Sequence, residues 1–297
     1  MPNLALLRAV AWRHLGALRA RISRQSGSAP SRARIAAPPA ADEVDEDPAW
    51  LTPLVVDYFG RDGSTAMLRL LASSPAILVE GGYPYESERL AQVLLAGAPP
   101  GAAPTSPSAR AALADRWRSS SRELLSPRGQ ASPARYYAEK IRDARRLDRD
   151  ALPGTRMIVL VRDPRDTLVS IESFSRAVGT QAIGGGDGRE EMLRRFIRRQ
   201  RERLEWIGSL QADEHAIVVD YRALVEDLEA LAGRLAGWLE VDLDPRQVAR
   251  DFRLRWVHGT SPDPRRSVGR WTTELDEATA ARLQREIGVQ MRAVGFA

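Results

Sequence analysis

The chain has no cysteine, so a disulfide, a thiolate nucleophile and a cysteine-ligated zinc are all excluded. Histidine is nearly as scarce: His14, His215 and His258 stand too far apart for a spacing-based metal motif, and no metal is expected. No apolar run approaches the ~20 residues needed to cross a bilayer. The N-terminus also lacks an uninterrupted apolar stretch ending in a small-residue cleavage site, so a soluble, cytoplasmic protein is the expectation. Lysine is the oddest shortage, because Lys140 is the single lysine among 44 basic residues. A bias toward arginine accounts for the depletion but not for the exception. Arginine holds its proton and offers a planar fork, whereas lysine is a compact, rotatable charge, so a site needing that shape resists replacement. A leftover surface lysine is the plain alternative.

What is present fits one catalytic-sized folded domain: 297 residues, 43% apolar and 28% charged. The net charge of +5 points to anionic partners. Its distribution says more. Residues 1–36 carry seven arginines and no acid, and Asp42 to Asp47 then supplies five acids. The body is therefore only mildly basic. Charge alone does not separate nucleic acid from nucleotide or membrane; the expectation is no nucleic-acid partner. Residues 1–24 place Leu4, Leu7, Ala11, Leu15 and Leu18 at helical steps with arginines to the side, which predicts an amphipathic basic helix. That pattern suits peripheral contact with an anionic membrane, and equally packing on a partner or on its own chain. Residues 25–48, rich in Ser, Ala, Pro and acid, read as a flexible linker, and 49–297 as the folded domain.

Within that domain apolar runs alternate with helical patterns: Leu54–Phe59 then Ser64–Ser73, Ile77–Glu80 then Ser87–Leu95, Met157–Val161 then Pro164–Ala177, and Ala216–Tyr221 then Leu224–Leu239. Continuous apolar strands separated by helices predict an α/β fold, with a central parallel β-sheet flanked by helices. Ligands of such sheets bind at the carboxyl ends of the strands. Residues 97–108 and 179–188 are breaker-rich loops.

Two segments carry the signature of anion binding. Gly60-Arg61-Asp62-Gly63-Ser64-Thr65 follows the first strand and opens a helix, a setting that aims backbone N–H groups and the positive helix end at an anion. Gly63 is expected to let a phosphate approach the chain, Ser64 and Thr65 to add hydroxyl donors, and Arg61 permanent charge. A Walker A loop requires a lysine before the hydroxyl residue, and none stands here. The second segment is Met157-Ile-Val-Leu-Val-Arg162-Asp-Pro-Arg-Asp-Thr-Leu-Val-Ser170. Asp163 and Pro164 start a helix, which leaves Arg162 at the strand tip and Ser170 two turns on, on the face shared by 163, 166 and 167. An arginine there forks onto a phosphate while Ser170 donates alongside; the plain alternative is a capped helix with an Arg162–Asp166 ion pair.

GRDGST, VRDPRDTLVS and a later SVGRW at Ser267–Trp271 occur in the order and spacing of the sulfotransferase family, and residues 50–297 resemble it. The resemblance implies a P-loop-like sulfotransferase architecture and a donor, 3′-phosphoadenosine 5′-phosphosulfate, used without a metal. It implies that Arg61, Gly63, Ser64 and Thr65 hold the 5′-phosphosulfate, and that Arg162 and Ser170 hold the 3′-phosphate. Arg266, Gly269 and Arg270 would close over that phosphate, with Trp271 as an anchor. The family's loop often has lysine and serine where this chain has Arg61 and Asp62, and an acid beside an anionic donor is costly unless it points away or caps the helix. Lys140, in YYAEK, matches the lysine that relatives carry near the transferred group. Family members use histidine or glutamate as base, and Glu80 and Glu86 both fit. Tyr83 and Tyr85 fit an acceptor pocket or surface packing, and His258 reads as a loop histidine. The implied reaction is in-line transfer to a small-molecule, glycan or lipid acceptor. A non-catalytic nucleotide- or membrane-binding adaptor of the same fold is the rival.

Overall fold

A computed structural model describes residues 50–81, 85–95, 106–126, 132–178, 188–248 and 263–296. The expected helix 1–24, the linker 25–48, Tyr83 and His258 lie outside the described residues. Five parallel strands form the sheet: β1 (Thr52–Tyr58), β2 (Ile77–Val79), β3 (Tyr136–Arg142), β4 (Arg156–Val161) and β5 (Ala216–Asp220), in the order β2-β3-β1-β4-β5. The expected α/β sheet is what forms, and β1 lies at its centre.

The helices follow in chain order: α1 (Ser64–Leu71), α2 (Arg89–Leu95), α3 (Pro107–Leu125), α4 (Pro164–Val178), α5 (Gly188–Ser209), α6 (Tyr221–Glu226), α7 (Leu228–Leu239), the short α8 (Trp271–Glu274) and α9 (Glu277–Ala293). Strand alternation sorts the core into two layers. Val55, Tyr137 and Val159 pack with Trp117, Phe196 and Ile287 on one face of the sheet. Leu54, Val56, Ala138 and Leu160 pack with Met67, Leu224 and Leu235 on the other.

Several boundaries differ from expectation. The run 224–239 is two helices broken at Asp227, whose carboxylate accepts from Ala230 N at 3.4 Å and caps the second. Residues 107 and 108, expected in a loop, open α3, where Ser106 caps Ala109 N at 3.2 Å and Pro107 takes the first helical position. Strand β3 has no counterpart among the apolar runs, because Glu139 and Lys140 interrupt it; both side chains are nevertheless buried. Asp57, in the middle of β1, is likewise buried, ion-paired with Arg203 of α5 and accepting from Ala144 N at 2.6 Å. A buried carboxylate survives in an apolar strand only with such partners.

Candidate active site

The site is built where β1, β3 and β4 end. Alternation carries Tyr58, Lys140 and Arg162 onto the face that α1 covers, continuing Leu54–Val56, Tyr136–Ala138 and Ile158–Leu160.

The turn after β1 has Gly60, Arg61 and Gly63 at positive φ, 125°, 67° and 92°. Asp62 holds it closed: its carboxylate points inward and accepts from Phe59 N at 2.6 Å and Gly60 N at 3.4 Å. The acid therefore neither faces an incoming anion nor caps the helix. Gly63 is the α1 N-cap, no side chain caps it, and no acid occupies the first turn. The positive helix end is therefore met by neither a side-chain cap nor a first-turn acid. A Cβ on Gly63 would come within 2.6 Å of Leu224 Cδ2 and 3.0 Å of Tyr221 Cδ2. Close packing on α6 therefore requires this glycine, a reason different from the phosphate approach expected of it. Ser64 is buried and Thr65 half-buried at the helix start.

Arg162 joins the two motifs. Its Nη1 donates to the Arg61 carbonyl at 2.7 Å, its Nη2 donates to the Ser267 carbonyl at 2.6 Å, and its guanidinium lies 4.4 Å over the Tyr221 ring. Its Nε is buried without a hydrogen-bond partner. Arg61 in turn donates to Ser170 Oγ at 3.2 Å and stacks 4.6 Å over Phe174. Arg270 pairs with Glu274 at 2.7 Å and reaches Ser173 Oγ at 3.3 Å. Burial, then repulsion from Arg162 and more weakly Arg270, lowers the Arg61 pKa to about 10. Burial also lowers that of Arg162, with Arg270 adding to it. Arg270 runs the other way, because its bond to Glu274 raises its pKa, so the strained cations of this cluster are Arg61 and Arg162.

Asp166 does not pair with Arg162. Its carboxylate accepts Gly269 N at 2.7 Å and Trp271 N at 3.0 Å, which fixes the C-terminal turn onto α4. Arg165, paired with Asp163 at 2.7 Å, stacks 3.8 Å from the Trp271 ring centroid, so Trp271 is packed from the same helix. Tyr221 OH and Ser267 Oγ lie 2.9 Å apart beneath the turn. Gly269 has φ 75°, and Arg266 is exposed on the turn Pro264–Ser267. Sequence reasoning missed the anchoring role of Asp166 and the presence of Tyr221. The two carboxylates of RDPRD, three residues apart on one helix face, were the available signal.

Lys140 is buried, and its Nζ donates to Glu86 at 2.6 Å, 6.0 Å from the centre of the Tyr58 ring. Arg142, opposite Tyr58 in the ladder, stacks on that ring at 5.3 Å. Glu80 goes elsewhere: it accepts from Arg89 Nε at 2.9 Å and from Tyr137 OH at 2.9 Å, and Tyr137 lies on the opposite sheet face. Burial acts to raise the Glu80 carboxyl, but the bonds from Arg89 and Tyr137 outweigh it and hold the group below its ordinary range. Glu86 is thus brought to Lys140 and Glu80 is not. Tyr85 is buried and accepts from Arg69 at 3.2 Å. Among the described residues, no cluster of His, Asp or Glu is placed to hold a metal ion, and no helix is long and apolar enough to cross a membrane.

Several solved structures are similar in shape. The sulfotransferase domain of the olefin synthase from Synechococcus PCC 7002 matches with a TM-score of 0.46 and 16% identity, over 80% of this chain and 95% of that one. Sulfotransferase STF9 from Mycobacterium avium matches with a TM-score of 0.49 and 14% identity, over 83% and 78%. Mouse sulfotransferase SULT7A1, complexed with PAP, gives 0.49 and 12%, over 82% and 85%. No curated protein matches the sequence significantly. The family model described as "Sulfotransferase family" matches residues 53–245, a span that holds both the Arg61 turn and the Arg162 strand. By that match, which covers more than half of the chain, the protein belongs to the sulfotransferase family.

Proposed function

We propose that this chain transfers a sulfuryl group from 3′-phosphoadenosine 5′-phosphosulfate to a hydroxyl or amine acceptor by in-line displacement. The observation that carries the reading is the joining of three segments around two arginines: Arg162 bonds the Arg61 and Ser267 carbonyls, and Arg61 bonds Ser170. A donor with phosphate groups at two positions of one nucleoside suits such an arrangement. Arg61, the backbone at Gly63 and the Ser64 and Thr65 hydroxyls would hold the phosphosulfate at the uncapped start of α1. Arg162, Ser170, Arg266, Gly269 and Arg270 would hold the 3′-phosphate. The orphaned Arg162 Nε supports an anionic occupant there.

In the reaction the acceptor oxygen or nitrogen forms a bond to sulfur as the bond between sulfur and the bridging phosphate oxygen breaks. Glu86 takes the acceptor proton; its side chain is 41% exposed, whereas Glu80 is tied to Arg89 and Tyr137. Lys140 sits beside Glu86 and stabilises the charge that develops on the leaving oxygen, aided by Arg61. The products are the sulfated acceptor and adenosine 3′,5′-bisphosphate.

Calorimetric titration with adenosine 3′,5′-bisphosphate against ADP tests the donor, and preference for the bisphosphate is the expected result. Radiolabelled donor offered with 4-nitrophenol, a sterol, a fatty alcohol and an alkyl glycoside tests transfer. Tight bisphosphate binding with no transfer to any of them would favour the adaptor over the enzyme, and equal binding of ADP would overturn the donor assignment.

A further inference from the structure

The proposed base stands on a segment clasped from both faces of β3. Glu139 and Lys140 are neighbours in that strand and project to opposite faces. Glu86 and Ser87 are neighbours in the segment that leads into α2. Lys140 takes Glu86 at 2.6 Å on one face. On the other face, Glu139 accepts from Ser87 Oγ at 3.1 Å, Leu90 N at 2.9 Å and Ala91 N at 2.9 Å. Tyr137 OH completes the group, 2.8 Å from Ser87 Oγ and 3.1 Å from Glu139.

Resting on the assignment of Glu86 as base, we propose that Glu139 is the positioning residue for Glu86. A buried carboxylate costs stability unless it is fully bonded, and capping a seven-residue helix from a different strand is a local gain alone. What the arrangement adds is register. Glu139 bonds both the residue after Glu86 and the first turn of α2, so residues 87–91 cannot slide along β3 while those bonds hold. Glu86 is half-exposed, and its ion pair with Lys140 is the one bond described for its carboxylate. Lys140 is buried and fixed in β3, so the pair holds one point of the segment, and the clasp beneath sets the register of the residues around that point. Glu139 touches neither the donor nor the acceptor in this scheme and acts through Glu86.

The single lysine makes the test direct. Protein labelled with 13C at lysine Cε reports the surroundings of Lys140 as one carbon environment, with no acceptor needed. Glu86→Gln moves that resonance, Glu139→Gln moves it in the same direction, and Glu139→Gln added to Glu86→Gln moves it no further. Turnover with 4-nitrophenol follows the same cycle: each single variant falls by about 10²-fold, as expected for a misplaced reacting group, and the double variant is no worse than Glu86→Gln. Glu139→Asp, with a shorter reach, restores less than half of the wild-type rate, and bisphosphate affinity is unchanged throughout. Should Glu139→Gln fail to fold, Ser87→Ala, which removes one hydroxyl of the clasp, reads the same cycle. A Lys140 resonance that moves in Glu86→Gln but stays put in the clasp variants overturns the positioning role and leaves the base assignment intact. Full turnover in Glu86→Gln overturns the base assignment, while the resonance still judges the clasp.

Discussion

The carboxylate of Asp166 accepts the backbone N–H of Gly269 at 2.7 Å across more than a hundred residues of sequence. With the second bond, from Trp271 N, it ties the C-terminal turn to α4 rather than leaving a trailing segment. Asp166→Ala leaves two part-buried N–H groups unbonded, each costing on the order of 1–3 kcal/mol. Adenosine 3′,5′-bisphosphate binding should weaken by about tenfold or more as a result, with Asp166→Asn between, measured by calorimetry.

The same carboxylate supplies a pH test. Burial holds the Asp166 carboxyl above its ordinary range, although the N–H groups of Trp271 and Gly269 pull the other way. Its proton is therefore taken up more readily in the folded chain than in the unfolded one, and protonation itself favours folding. The contribution to stability is full below the unfolded value and is lost as pH rises through the raised folded value. The hold on the turn runs the opposite way, weakening as pH falls through that raised value. Bisphosphate affinity should fall on acidification before ordinary carboxylates titrate, and more steeply than in Asp166→Asn, where the ligand's own phosphates still take up protons.

Lys140→Met should lower transfer by about 10²- to 10³-fold, the usual loss when one preorganised donor to a developing oxyanion is removed. Bisphosphate affinity should change little, because the charge matters when the bond breaks. Full transfer in this variant would take Lys140 out of the reaction.

Arg162→Lys keeps one positive charge but loses the fork that spans the Arg61 and Ser267 carbonyls. The preference for adenosine 3′,5′-bisphosphate over ADP should drop by about tenfold or more, the scale of a lost charge-assisted hydrogen bond. An unchanged ratio of the two dissociation constants would remove Arg162 from the 3′-phosphate site.

Gly63→Ala should destabilise the protein by about 1–3 kcal/mol, since the new methyl meets Leu224 Cδ2 within 2.6 Å at a positive φ. Leu224→Ala in the same protein should recover part of the Gly63→Ala loss, as urea unfolding of the single and double variants will show.

The layout of the sheet was legible because four of its strands are apolar enough to read as runs, and Arg162 stood out because charge ends one of them. Strand β3 was hidden by Glu139 and Lys140, whose burial depends on Ser87, Leu90, Ala91 and Glu86 from a distant segment. Local pattern carries no trace of partners that far away. The same limit explains why Glu80 and Glu86 looked nearly equivalent, with Glu86 set second as a helix-entry residue: both follow β2 closely, and their difference is made by Arg89 and Tyr137 on one side and Lys140 on the other. Asp62 was legible as an anomaly, and its inward turn toward Phe59 and Gly60 could not be told from composition.

That inward turn bears on timing. Because the chain's own carboxylate closes the Arg61 bend, the cradle at the head of α1 keeps its curvature whether or not anything rests in it. A nucleotide docking as proposed would meet a stiff seat instead of organising a slack one, and little entropy would be spent on that side. The opposite rim is built the same way, tied to α4 by Asp166, by the Arg270–Ser173 bond and by Arg165 stacked on Trp271, so neither side waits on a guest for its shape.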